Sequence, residues 1–362
     1  MAGSTMTVAH ASVGVVPSAR PRRRRCRATL LEGNRVGPWR VERELGRGGM
    51  ASVYAVAHTQ FGKRAALKIA HRSVIGPDFT SATFLREARI VHLVDHPGVP
   101  DVFATGSYDG RPYLAMERLT GKTLGQLLDT GALSRVDAIG YLLELCEVLG
   151  VAHAAGIVHR DLKLDNVFVE ATPGSGGRRV RLLDWGVARI LGEDDPMRGM
   201  LAGTVSYVAP EQVRGDEITP AADLYSLAVL AYHTLLGSPP FVGDHELELI
   251  RMHLHATPPA PASLWPEVPA ELASLLTAML DKDPAHRPTL DEIVRVLRAV
   301  AEHLEPRRRS WLASMSAVPA LPPIDVLGRP APLALAAIRQ RLVGATLAVA
   351  LAIASVVSLL SA

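Results

Sequence analysis

Short runs of alternating apolar and polar residues, separated by turn residues, fill the stretch from Trp39 to Ile69. Val41-Glu42-Arg43-Glu44-Leu45, Val53-Tyr54-Ala55-Val56-Ala57 and Ala65-Ala66-Leu67-Lys68-Ile69 each read as a strand. From Phe79 to Val94 the apolar residues recur at helical spacing, and Leu114-Ala115-Met116-Glu117 reads as a further strand leading into a connector. The remainder is mainly helical. Ser134-Arg135-Val136-Asp137 resembles a capping box and opens a helix to about Ala155, with Gly156 as its stop. Val167-Phe168-Val169 and Val180-Arg181-Leu182-Leu183 are apolar runs joined by a Gly-rich hairpin tip. Later helices are expected near Ala222–Leu236, His245–His253, Ala270–Leu280 and Leu290–Leu304. No internal repeat is visible.

Charge divides the chain further. Residues 1–35 carry seven Arg and one Glu, and residues 306–362 six Arg and one Asp, so against a net +3 the stretch between them is about −8. Basic charge on the tails and not on the folded part argues against a nucleic-acid partner. Residues 1–35 lack periodicity and read as a disordered basic tail, while the Pro- and Arg-rich residues 305–341 read as a linker. Leu342 to Ala362 carries no charge and, as a helix, would measure about 31 Å, enough to cross a bilayer. Arg339 and Arg341 before it would keep that side cytoplasmic, which makes the expected arrangement a single-pass C-terminal membrane anchor. Gly344 and Ala348 give the span a small-residue face on which a homodimer could form. Two cysteines provide no disulfide framework, and Cys146 falls on an apolar helical face.

The candidate chemistry lies in His159-Arg160-Asp161-Leu162-Lys163-Leu164-Asp165-Asn166, followed by Asp184-Trp185-Gly186. Phosphoryl transfer from a metal nucleotide needs positioned charge more than covalent chemistry. Asp161 would orient an attacking hydroxyl and accept its proton, and Lys163 would offset charge on the transferring group. Asn166 and Asp184 would hold Mg2+ (or Mn2+) bridging the phosphates. Any one of these residues alone says little; the ordered set says much.

With these motifs the chain resembles the bacterial eukaryotic-like (Hanks-type) Ser/Thr protein kinases over residues 36–304. The resemblance implies an α+β bilobal fold: a β-rich N-lobe with one long helix over about 36–117 and a mainly helical C-lobe over about 118–304. Leu45-Gly46-Arg47-Gly48-Gly49-Met50-Ala51-Ser52-Val53 matches the family's glycine-rich loop, except that Ala51 replaces its third glycine. Leu45, Gly46, Gly48, Gly49, Val53 and Ala66 would then surround ATP. Lys68 would contact its α- and β-phosphates, held there by Glu87. Met116 would border the adenine, whose edge would pair with the backbone of Glu117 and Leu119. Trp185 stands where the family has phenylalanine.

Gly203 to Glu211 matches the substrate-docking strip, in which Thr204 would bond to Asp161 and Lys163. Glu211 would pair with Arg287, and Asp223 would brace the catalytic-loop backbone. These last three support the site and do no chemistry. Between Trp185 and Gly203 there is no Ser, Thr or Tyr, whereas relatives with an arginine at the position of Arg160 often order this segment through a phosphate. Glu193-Asp194-Asp195 could substitute for that phosphate against Arg160, or could be a mobile acidic loop. The activity implied is transfer of the γ-phosphoryl of Mg-ATP to protein serine or threonine. An ATP-binding pseudokinase scaffold is the alternative, against which stand Lys68, Asp161 and Asp184, all present.

Overall fold

The computed structural model describes residues 29–75, 81–171, 178–195 and 204–316. The basic N-terminal tail up to residue 28, Gly203 and the Leu342–Ala362 segment lie outside the described residues. Two compact units are present, Met1–Glu302 and His303–Ala362.

The first unit opens with a six-stranded antiparallel sheet in the order β1-β2-β3-β4-β6-β5. Its strands are β1 (Arg35–Val36), β2 (Trp39–Arg47), β3 (Ala51–His58), β4 (Arg64–Ala70), β5 (Val102–Tyr108) and β6 (Arg111–Met116), with helix α1 (Ser81–Leu93) between β4 and β5. Alternation along β4 decides which residues meet the helix. Ala65, Leu67 and Ile69 enter one core layer with Trp39, Val41, Tyr54 and Val56. Neighbours one position away face oppositely, as the two-residue side-chain period requires. Ala70 accordingly packs with Ala51, Leu114 and the helix residues Phe84 and Ala88, and Lys68 belongs to this same face.

Beyond the connector come β7 (Gly121–Thr123), α2 (Leu124–Asp129), α3 (Arg135–Ala154), β8 (Ile157–Val158), β9 (Val167–Ala171), β10 (Arg178–Leu182) and β11 (Arg189–Ile190). Ser134 caps α3 by accepting from the Asp137 N–H at 3.1 Å while its hydroxyl donates to the Asp137 carboxylate at 2.6 Å, an arrangement that satisfies an otherwise orphaned donor. Strands β10, β9 and β7 form one small sheet, and β11 pairs antiparallel with β8. The helices that follow are α4 (Pro210–Arg214), α5 (Ala221–Leu236), α6 (Glu246–His255), α7 (Pro261–Leu264), α8 (Ala270–Met279) and α9 (Leu290–Ser316).

Helix α5 is apolar on nearly every side and almost entirely buried, as such helices must be. Each large aliphatic side chain it buries contributes about 1.5–3 kcal/mol. Cys146 on α3 is core, and burial pushes its thiol up to about 12. The last helix runs to Ser316 and not to Leu304 where periodicity places its end; Arg, Leu, Ala and Met beyond Pro306 are good helix formers. No helix among the described residues is long and apolar enough to cross a membrane.

Candidate active site

Lys68 joins the β-rich lobe to the helical one. Its Nζ donates to Glu87 Oε1 at 2.8 Å and Oε2 at 2.7 Å, and to Asp184 Oδ1 at 2.7 Å. Burial works against the lysine's charge, but the carboxylates of Asp184 and Glu87 outweigh it and raise the ammonium above its usual range. Asp184 is held low, at about 2, chiefly by the Lys68 charge and against desolvation. Burial has the opposite result at Glu87, whose carboxyl is raised in spite of Lys68. Both carboxylates therefore favour the charged lysine, and Glu87 holds it with two oxygens.

Around the lysine, strand register assembles the surfaces a nucleotide would meet. Val53 pairs with Lys68, and Ala66 with Met116. Leu45 is exposed on β2 just before the turn. The Glu117 N–H donates to the Asp101 carbonyl at 2.8 Å, so only its carbonyl is left for an adenine edge. Leu119 lies half-buried in the connector. At Gly46 and Gly49 an added Cβ would meet nothing within 4 Å, and at Gly48 only the Ala51 carbonyl at 3.6 Å. The turn is thus open enough for backbone N–H groups to approach phosphate oxygens. The Ala51 methyl is buried against Phe84 and Ala88, so the departure from glycine packs into the helix contact.

Sequence reasoning overlooked His71. Its Nδ1 lies 3.2 Å from the Gly49 carbonyl and its Nε2 2.8 Å from Ser52 Oγ. A carbonyl can only accept, so Nδ1 carries a proton and, in the neutral ring, Nε2 accepts from Ser52. His71 thereby ties the tip of the glycine turn to the start of β3. Replacing it by Ala removes two hydrogen bonds, worth about 1 kcal/mol each. ATP affinity is expected to fall roughly five- to thirtyfold, measured by calorimetric titration, with the fold intact.

Asp161 is the acceptor at the centre of the catalytic loop. Its Oδ1 accepts from the Thr204 N–H at 2.8 Å and the Thr204 hydroxyl at 3.0 Å. Its Oδ2 accepts from Lys163 Nζ at 2.6 Å and Asn166 Nδ2 at 3.1 Å. Lys163 also donates to Thr204 Oγ1 at 2.8 Å, which fastens the docking strip to the loop. The amide of Asn166 donates again to the Asp161 carbonyl, at 2.8 Å, leaving its own carbonyl oxygen for a cation. The Leu183 N–H donates to the Asn166 main-chain carbonyl at 2.8 Å, which sets the backbone leading into Asp184 beside Asn166. Two hard oxygen donors fit Mg2+, which keeps waters and phosphate oxygens as its other ligands.

The supports are buried. Arg160 and Asp184 both hold positive φ, 67° and 59°, a conformation that costs a non-glycine residue and persists only where surroundings enforce it. Asp223 enforces the first, accepting from the His159 N–H at 2.8 Å, the Arg160 N–H at 2.9 Å and His153 Nε2 at 2.9 Å. Burial opposes its charge, yet His153 and these donors hold its carboxyl below the usual range. Trp185 is buried, donates its indole N–H to the Leu182 carbonyl at 3.2 Å and meets the His159 ring edge-on at 4.6 Å. Glu211 and Arg287 are joined by two bonds of 2.6 and 2.8 Å. Gln212, also missed, bridges the Ala209 N–H at 3.0 Å and the Arg160 carbonyl at 3.1 Å.

The family described as protein kinase domain matches residues 39–297. The chain belongs to the protein kinase family. Among curated proteins, this chain is 35% identical to the serine/threonine-protein kinase Pkn1 of Myxococcus xanthus over 83% of its length and 44% of that protein's. It is 35% identical to the serine/threonine-protein kinase PknA of Mycobacterium tuberculosis (69% of this chain, 58% of that one). The probable serine/threonine-protein kinase PknB of Lactococcus lactis is 33% identical (69% and 40%). The chain spans about half the length of the curated relatives it matches. These similarities place it with the bacterial serine/threonine kinases of Hanks type.

Proposed function

We propose that this chain is an active serine/threonine protein kinase that transfers the γ-phosphoryl of Mg-ATP to protein hydroxyls at the cytoplasmic face of a membrane. The observation that carries the reading is the convergence of Lys68, Glu87 and Asp184 on one side of the cleft with Asp161, Lys163 and Asn166 on the other. Lys68, fixed by Glu87, would bind the α- and β-phosphates in place of its present bond to Asp184. Asn166 and Asp184 would hold Mg2+, which neutralises phosphate charge when bound. Asp161 would take the proton of an incoming hydroxyl on Oδ2, and Lys163, bonded to that oxygen at 2.6 Å, would steady the transferred group. Thr204 fixes the remaining carboxylate oxygen, so the base has one working orientation.

Membrane attachment rests on the uncharged Leu342–Ala362 stretch and the arginines before it, and the same stretch would be where two copies associate. The test is phosphoamino-acid analysis of an unstructured protein substrate incubated with the purified full chain and Mg-ATP. Phosphoserine or phosphothreonine that disappears in Lys68→Met is the expected result. ATP binding without any transfer would instead mark a scaffold and overturn the reading.

A further inference from the structure

Three arginines from two separate elements converge on the residues that follow Asp184-Trp185-Gly186. Arg160, in the catalytic loop, donates from Nη1 to Asp195 Oδ2 at 2.7 Å and from Nη2 to Asp195 Oδ1 at 3.3 Å, and both side chains are nearly buried. Arg160 Nε also donates to the Val187 carbonyl at 2.7 Å, so the guanidinium is bound on two sides. Arg89, on α1, reaches Glu193 through two bonds of 3.1 and 2.7 Å. Arg86, immediately before Glu87, places Nη2 3.8 Å from the same Glu193 carboxylate, while its buried Nε and Nη2 make no hydrogen bond among the described residues. Asp194, between the two acids, is exposed.

We infer that Glu193 and Asp195 are positioning residues that form a built-in acidic clamp, holding α1 and the catalytic loop in the transfer-competent arrangement without any covalent modification of this segment. This rests on the kinase reading and adds a mode of regulation to it. The chemistry is direct. Two carboxylates meet a basic pocket of a kind that a doubly charged phosphate could also fill. The sequence offers no hydroxyl for such a phosphate between Trp185 and Gly203. Glu193 acts on Glu87 through its neighbours Arg86 and Arg89, and hence on Lys68. Asp195 acts on Asp161 through Arg160, the residue just before it. Of the three neighbouring acids, the two that meet arginines are therefore the ones that matter.

The experiment uses the full chain after phosphatase treatment, with mass spectrometry verifying that it is unmodified. The unmodified wild type is expected to transfer phosphate, Asp195→Asn to lower kcat by about tenfold or more, and Glu193→Gln, at the more exposed pair, by about two- to fivefold. In Asp195→Asn, which acts on Asp161, ATP affinity should stay within about twofold, a split that general unfolding would not give. Asp195→Glu should recover most of the loss. Glu193→Gln combined with Arg89→Gln should be no worse than either alone, since the pair acts as one unit. This exposed pair provides the readout should Asp195→Asn fail to fold. Wild-type kcat in both single variants would overturn the clamp while leaving the kinase reading intact. So would a wild type that transfers only when phosphorylated. Absence of transfer by the wild type in every modification state would overturn both.

Discussion

Asp161→Asn is expected to lower kcat for phosphoryl transfer by about a thousandfold, within the range that removal of a general base commands. Asn is close in shape to Asp, so the bonds from Thr204 to Oδ1 at 2.8 and 3.0 Å can persist. The change falls on the other oxygen. At Oδ2, Lys163 and Asn166 now donate to a carboxylate, and an amide placed there offers N–H groups to cationic and amide donors and cannot accept a proton from a substrate hydroxyl. The nucleotide contacts at Lys68, Glu87 and the glycine turn are untouched. ATP affinity by calorimetry should therefore stay near wild type while steady-state kcat collapses, since the lost interaction belongs to the transition state alone. A parallel loss of ATP binding would place Asp161 in nucleotide binding instead.

Glu211→Ala is expected to produce the largest loss of stability. The pair it forms with Arg287 is 1% and 0% exposed. Removing one partner from such a pair costs about 3–5 kcal/mol, because the survivor is left charged away from water. Arg287 would keep its bonds to the Asp281 and Ala221 carbonyls and its position over the Tyr225 ring, which offset part of the penalty. In a domain of this size each kcal/mol lowers Tm by about 2–4 °C, so a drop near 10 °C is expected by scanning calorimetry. Because Glu211 follows the docking strip and Gln212 ties that strip to Arg160, KM for a protein substrate should rise at temperatures where the variant is still folded. A double variant with Glu211→Leu and Arg287→Met should regain much of the stability, since a packed apolar pair often matches a buried ion pair. A Tm change below about 2 °C in Glu211→Ala would show that the pair is not the brace its burial suggests.

The parts of this protein that are legible in the sequence are those where chemistry fixes residue type and spacing together. Asp161, Lys163 and Asn166 sit on one short loop, and the contacts among them are local. Lys68 and Glu87 were placed on a strand and a helix by their periodicity, but their pairing came with the family resemblance. Glu211 and Arg287 came only with the family resemblance, since 76 residues separate them. His71 and Gln212 gave no signal. Both act by bonding to main-chain carbonyls and N–H groups, which any sequence supplies, so nothing in the pattern marks them. The short helices Leu124–Asp129, Pro210–Arg214 and Pro261–Leu264 span too few turns to show a period. Strand Val102–Tyr108 does alternate in burial, but Gly106 and its small polar neighbours hide the alternation. The acidic triplet was legible as a group; which acid met Arg160 was a matter of backbone direction.

The central claim is that Lys68, Asp161 and Asp184 act on one nucleotide in one cleft. The most direct measurement is single-turnover transfer from Mg-ATP to a protein substrate by the purified full chain, compared with Lys68→Met, Asp161→Asn and Asp184→Asn. The account predicts that each variant loses transfer by at least about a hundredfold, with Asp184→Asn alone also losing the Mg2+ dependence of ATP binding. Wild-type transfer in any one of the three would contradict it.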